Sequence, residues 1–319
     1  MSAVPSGPAE SLEGRNRWAP HPAANQAALS KARIWLLAVR PKTLSASTVP
    51  VLVGTAFAYA NREASVLPAL SALLGAVLIQ VGTNLINDYY DFKKGADTKE
   101  RLGPTRVTQS GLLNPSVVLL GGLFCFGAAF LIGVYLVAVG GWPIALIGLV
   151  SLLCGYAYTG GPVPLGYLGL GDLLVFVFFG LVAVAGTYFV QAHRLPETIW
   201  FAAAAVGSLA TAILVVNNLR DVNTDAKAHK RTLAVRFGTR AARREYAALL
   251  AIAYSAPVAL WASGLSGWLF LPWLSLPLAM QCLRLVLTQS GAALNPALGQ
   301  TARLEVVFGI LLSIGLCLS

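Results

Sequence analysis

Residues 66–97 read VLPALSALLGAVLIQVGTNLINDYYDFKKGAD. From Val66 through Asn87 there is no charged side chain. At about 1.5 Å per residue such a run crosses a hydrocarbon layer of ~30 Å as one helix. The charge then arrives at once, as Asp88, Asp91, Lys93, Lys94 and Asp97. Asn84 and Asp88, and Asn87 and Asp91, stand four residues apart, so a continuing helix puts each pair on one face. The stretch therefore predicts a membrane-spanning helix with an acidic tip.

The rest of the chain agrees with this class. It has 319 residues, of which 56% are apolar and only 11% charged. Its mean hydropathy is +0.69. An average soluble domain has about 25% charged residues, so a charged surface for a soluble body of this size is excluded. The apolar content excludes disorder. Four cysteines, Cys125, Cys154, Cys282 and Cys317, are too few and too scattered for a disulfide scaffold. They read as small apolar residues. The net charge of +10 points to loop topology rather than to nucleic acid.

Residues 1–27 are rich in Pro, Ala, Ser and Gly, contain Glu10 and Glu13, and read as a mobile cytoplasmic tail. Residues 31–40 read as a short interfacial helix ended by Pro41. Apolar segments follow at 44–60, 66–87, 116–139, 142–158, 170–190, 198–217, 246–264, 268–288 and 303–318. The predicted fold is all-α, a polytopic bundle of about nine transmembrane helices. With a cytoplasmic N-terminus, 21 of the 23 Lys and Arg fall on the cytoplasmic side, and only Arg62 and Arg194 on the other. That bias predicts an N-in, C-out orientation with the two large charged loops cytoplasmic. Those loops follow the second and sixth spans, which suggests two related halves, 28–165 and 166–319.

The second loop opens on Asn217-Asn218-Leu-Arg220-Asp221-Val-Asn-Thr-Asp225. Asn217, Asp221 and Asp225 repeat the four-residue spacing. Acids at a membrane boundary need partners. Two facing groups of hard oxygens suit Mg²⁺, which keeps waters and bridges substrate phosphates. The candidate ligands are Asp88, Asp91, Asp221 and Asp225, with Asp97 a further one. Lys93, Lys94, Lys99, Arg101, Arg106, Arg220, Lys227, Lys230 and Arg231 read either as diphosphate ligands or as topology charges in solvated loops; Arg106, Lys230 and Arg231, flanked by Gly, Pro and Thr, are the best placed, with Asn84, Asn87 and Asn217 beside them. A third stretch, Tyr156 to Asp172, is rich in Gly, Pro and Tyr and has no Lys or Arg. It reads either as an aromatic wall for a substrate or cation, or as a tight interhelical turn with interfacial Tyr anchors. Asp172 reads as a cap of the helix after it. The three histidines form no site, and there is no P-loop.

The pattern Asn87-Asp-x-x-Asp91 with Asp221-x-x-x-Asp225 resembles the UbiA superfamily of intramembrane prenyltransferases, over nearly the whole chain from residue 31. Arg40-Pro-Lys-Thr43, Tyr158-Thr-Gly-Gly-Pro162-x-Pro-Leu-Gly-Tyr167, Gly186-Thr-Tyr188 and Lys230-Arg-Thr232 are similar to its 1,4-dihydroxy-2-naphthoate polyprenyltransferase branch. The resemblance implies a central cavity open to lipid, two Mg²⁺ bridging a polyprenyl diphosphate, and the naphthoate as acceptor. It implies catalytic and metal roles for Asp88, Asp91, Asp221 and Asp225. Arg40, Lys42, Tyr156 and Tyr158 are the expected acceptor and carbocation pocket. It also implies demethylmenaquinol as product and the bacterial cytoplasmic membrane as location. Two positions depart from the pattern: Gly95 stands where many members have a further Asp, and His229 where a Gly is expected. The alternatives are another aromatic acceptor, such as 4-hydroxybenzoate or homogentisate, and a cation transporter using paired membrane acids.

Overall fold

A computed structural model of the chain describes residues 29–97 and 102–319. The expected tail, 1–27, lies outside them, as do Lys99 and Arg101. Among the described residues there are helices and no strands. The helices are α1 (Lys31–Val39), α2 (Ser45–Ala60), α3 (Val66–Lys93), α4 (Pro115–Gly140), α5 (Trp142–Ala157), α6 (Gly171–Val175), α7 (Ala183–Ala192), α8 (Ile199–Arg220), α9 (Val222–Lys227), α10 (Leu233–Ala262), α11 (Leu276–Thr288) and α12 (Asn295–Cys317). A π-helical stretch, Phe176–Val182, joins α6 to α7 into one span.

Each of the nine apolar segments becomes helical, but not all are full spans. Seven are long and apolar enough to cross a membrane; α1 and α2 form a pair bent by 54°, and α5 has only 16 residues. The count of nine is thus approximate. The large difference is α10, which begins 13 residues before the expected 246 and is broken at Gly238, where φ 84° and ψ 169° separate a short first turn from the long helix. Thr232 caps it by accepting from the Val235 amide at 3.3 Å. Its early turns carry Arg236, Arg240, Arg243 and Arg244, which hide a helix from a hydropathy reading. Arg243 reaches the carbonyls of Val286 and Gln289 at 3.0 and 2.9 Å, capping the end of α11.

The bundle is built around α8, the most buried span, which packs on α10, α12 and the π-helical stretch. Its run of Ala and Gly allows close approach, since lipid supplies no hydrophobic force between helices. Gly207 meets Gly180 backbone to backbone: a Cβ on Gly207 would stand 2.8 Å from the Gly180 Cα and 2.8 Å from the Phe176 carbonyl. The outer helices turn large apolar side chains outward, among them Leu70, Phe124, Leu131 and Leu146. That is the inverse of a soluble surface and fits a multi-pass membrane protein.

The elbow between α1 and α2 sets one wall of the interior. Arg40 sits in the left-handed region at φ 57°, and Pro41 prevents the helix from continuing. Asn84 of α3 holds the bend, its amide donating to the Val39 carbonyl and the Thr43 hydroxyl, both at 3.0 Å. Arg40 donates back to the Asn84 carbonyl at 3.3 Å. Asn84→Ala leaves the Val39 carbonyl short of a donor. It is expected to lower stability by about 1–3 kcal/mol, read as a lower thermal midpoint in detergent.

Candidate active site

α3 to α8 with α2 enclose a cavity of about 670 Å³. Along α3 its wall runs from Asp91 to Ala72, about 28 Å of helix at 1.5 Å per residue. One end is polar; the remainder is lined by side chains such as Phe130, Val134, Leu149, Phe178 and Phe179.

The polar end is assembled from three segments. The first is the tip of α3. After Lys93 the chain reverses: Gly95 takes φ 70°, and the amides of Ala96 and Asp97 both donate to the Asp91 carbonyl, at 2.9 and 3.3 Å. A left-handed residue is needed there, which accounts for Gly95. The reversal carries Asp97 to 3.3 Å from the Arg106 Nε, while Arg106 Nη2 lies 3.4 Å from Asp91 Oδ2. All three side chains are buried.

The second segment is the end of α8. Arg220, 2% exposed, donates twice to Asp221, at 2.8 and 2.5 Å, and also to Asn217 at 2.7 Å and Asn295 at 3.1 Å. Asp221 marks the break between α8 and α9, and Asp225 follows one turn later. The Lys230 amide then closes on the Asp225 carbonyl at 2.9 Å. His229 adopts φ 57°, the conformation a Gly would take at no cost.

The third segment is the Gly/Pro turn, which lies against both others. Thr159 donates to Asn87 at 2.5 Å, and Lys94 Nζ donates to the Thr159 carbonyl at 2.6 Å. The Tyr167 hydroxyl donates to Asp91 Oδ1 at 2.8 Å, and the Tyr167 carbonyl accepts from the Arg231 amide at 2.8 Å. Lys94 and Lys230 both stand over the Tyr167 ring, 5.0 and 4.7 Å from its centre. Burial, aided by Asp91, pushes the Tyr167 phenol up, so it stays a donor. Burial pulls the Lys94 ammonium down against the opposing pull of Asp91.

The predicted residues divide accordingly. Asn84, Asn87, Asp91, Asp97, Arg106, Asn217, Asp221, Asp225, Lys230, Arg40 and Tyr158 line one cavity. The others do not. Asp88 is buried behind the wall, accepting from the Thr108 amide at 3.1 Å with Arg40 at 3.8 Å. Asn84, though it lines the cavity, spends its amide on the elbow. Tyr156 is hydrogen-bonded to Tyr90 at 2.5 Å. Lys42 and Arg231 are exposed and line no part of the cavity. Their charge suits a solvated loop as well as a site, and spacing alone does not tell these apart.

Tyr167 and Thr159 are additional polar-end residues beyond those singled out, and Lys94, one of the wider set of basic candidates, joins them. The quoted Tyr158–Tyr167 run contained two of them, but nothing in it reveals which hydroxyl turns inward. Asp172, in the first turn of α6, lines the cavity and accepts from Asn218 at 3.3 Å.

Among the described residues, no three Asp, Glu, His or Cys side chains gather tightly enough to hold a cation alone. Asn87, Asp91, Asp221 and Asp225 nonetheless present hard oxygens to one space. That donor set fits Mg²⁺, which takes one or two carboxylates and completes its shell with water and phosphate oxygens.

Comparison with known proteins follows the same lines. The sequence profile described as "UbiA prenyltransferase family" matches residues 47–298. The 1,4-dihydroxy-2-naphthoate octaprenyltransferase of Bacillus subtilis (strain 168) is 38% identical over 288 residues, 90% of this chain and 92% of that one. The protein of the same name from Escherichia coli (strain K12) is 38% identical over 301 residues, 91% and 97% of the two chains. A solved UbiA homologue from Archaeoglobus fulgidus bound to DMAPP and Mg²⁺ superposes with a TM-score of 0.61 at 18% identity, over 88% of this chain and 99% of that one. At that identity the likeness is one of fold.

Proposed function

The chain belongs to the UbiA prenyltransferase family, and from that premise we propose that it transfers a polyprenyl group from polyprenyl diphosphate to 1,4-dihydroxy-2-naphthoate. CO₂ and diphosphate leave, and a demethylmenaquinol for menaquinone synthesis results. The observation that carries the reading is a contact across the cavity. Lys230, which follows the second acidic motif, places its ammonium 3.2 Å from Asp91 of the first. The two motifs therefore face one space small enough for a diphosphate.

In this reading Asp91, Asp221 and Asp225, with Asn87, hold divalent cations, two Mg²⁺ in the full assignment. Asp88 joins them only by releasing Thr108 and Arg40. When bound, the cations neutralise charge on the departing diphosphate. Arg106 and Lys230 add fixed positive charge on the same side. The apolar run takes the prenyl chain and keeps water from the allylic cation. Tyr158 presents its ring to that cation. Arg40, on the cavity wall beside α3, holds the acceptor carboxylate. The ring carbon bearing that carboxylate forms the new bond to the prenyl carbon, and its C–C bond to CO₂ breaks, returning an electron pair to the ring. Carboxylate loss sets the naphthoate apart from acceptors that lose a ring proton. The acids stand at helix ends among basic side chains, which suits a phosphate site better than a midplane ion path. The same reading puts the protein in the bacterial inner membrane, its N-terminus and site cytoplasmic.

The test offers the purified protein several polyprenyl diphosphates with the naphthoate, 4-hydroxybenzoate and homogentisate, and measures product mass. The decarboxylated, prenylated naphthoate is expected as the main product. A product from another acceptor in preference rejects the assignment. Chelation of divalent cations is expected to reduce turnover by at least on the order of 100-fold, with recovery on adding Mg²⁺.

A further inference from the structure

The polar end holds more positive than negative charge on the side of the first motif. Lys94, Lys230 and Arg106 face Asp91 and Asp97. Arg106 contacts both acids, and Lys230 contacts Asp91. Lys94 meets a carbonyl, that of Thr159, and two rings, those of Tyr90 at 5.6 Å and Tyr167 at 5.0 Å. Two ammonium groups over one ring repel each other, so their convergence requires something to hold them. Asp91 holds Lys230; a second carboxylate on Lys94 would cancel its charge as well. The face of an aromatic ring attracts a cation through its quadrupole and leaves the charge intact.

We propose that Tyr167 is a positioning residue for the leaving group. Its ring gathers Lys94 beside Lys230, and its hydroxyl fixes Asp91, so that the Lys94 ammonium, held by a ring and a carbonyl, meets the diphosphate together with Lys230, which Asp91 holds. The arrangement joins distant parts of the chain. Lys94 follows the first acidic motif and Lys230 the second, while Tyr167 comes from the turn between them. The turn is itself tied down, through the Arg231 amide on the Tyr167 carbonyl and the Gly166 amide on the Tyr158 carbonyl at 2.9 Å. It has no basic residue of its own between Tyr158 and Tyr167, and contributes here by placing those of its neighbours.

The inference rests on the diphosphate reading above. The probe is therefore inorganic pyrophosphate with Mg²⁺, which needs neither acceptor nor prenyl chain. Tyr167→Leu is expected to raise the Ki for pyrophosphate and the KM for polyprenyl diphosphate about tenfold. The KM for the acceptor stays at the wild-type value. Tyr167→Phe keeps the ring and is expected to recover pyrophosphate affinity to within about threefold. Lys94→Gln repeats the Tyr167→Leu effect while leaving the Tyr167 ring in place, and so tests the same point if the leucine variant folds poorly. A wild-type pyrophosphate Ki in Tyr167→Leu or in Lys94→Gln overturns the role of Tyr167 and leaves the diphosphate site standing. Equal losses in Tyr167→Phe and Tyr167→Leu also overturn it. Failure of the wild-type protein to bind pyrophosphate with Mg²⁺ overturns the diphosphate reading together with it.

Discussion

Asp91→Asn is expected to lower turnover by about 10³-fold while the protein remains inserted and folded. The size follows from how much converges on this one carboxylate. It accepts from the Tyr167 hydroxyl and lies within 3.4 Å of Arg106 and 3.2 Å of Lys230. An amide of the same shape still accepts from Tyr167, so the local geometry has a reason to persist. The charge is what disappears, and with it the restraint on two cations aimed at the leaving group. Removing one preorganised electrostatic contact of this kind commonly costs about 10²–10³ in rate. Asp91 is also a proposed metal ligand, which puts the expectation at the upper end. The measurement is kcat in detergent beside a size-exclusion profile. Turnover within tenfold of wild type, with an unchanged profile, removes Asp91 from the catalytic machinery.

The second large effect concerns the bundle. Gly207→Ala is expected to cost about 3 kcal/mol and to depress the thermal midpoint by several degrees. Its new Cβ would meet backbone on two sides, the Gly180 Cα and the Phe176 carbonyl. Neither can step aside as a flexible side chain would. Relief requires α8 to move from the π-helical stretch, which disturbs the wall carrying Asn217 and Asp221. Gly127→Ala in α4 is the control, since a Cβ there meets nothing within 4 Å. An alanine in an open helix position improves helix propensity, so that midpoint is expected to hold or rise. Equal midpoints for the two variants remove the close approach as a source of stability.

Much of this architecture is legible in the sequence for one physical reason. A lipid-facing helix must be continuously apolar, and continuous runs are easy to read. The start of α10 shows where that reading stops. Its first turns carry four arginines and lie beyond the apolar run, so hydropathy shows a loop where Thr232 caps a short turn and, past the break at Gly238, the long helix has already begun. The acidic motifs are legible because charged oxygens at a membrane boundary are costly and their spacing repeats. Which of the acids turns to the cavity is another matter. Asp88 and Asp91 are three residues apart on one helix, yet Asp88 meets the Thr108 amide and Asp91 meets Tyr167. The difference is made by segments distant in sequence, the 102–115 loop and the Gly/Pro turn, and no local pattern encodes it. The same holds for Lys42 and Lys230. Both are lysines in basic loops beside a span, and only the folded chain separates them.

The shortness of α5 has a consequence for the surrounding lipid. Sixteen residues of helix reach about 24 Å, less than the ~30 Å of an ordinary hydrocarbon core. Its outward side chains, Trp142, Leu146, Val150 and Leu153, are large and apolar. Acyl chains beside it must therefore shorten or bend, and headgroups dip toward the midplane to meet its ends. A helix of this length matches a thinner membrane along one flank of the molecule, the flank whose inner face lines the long apolar channel. A thinned annulus there shortens the path by which a tail tens of ångströms long slides between bilayer and protein.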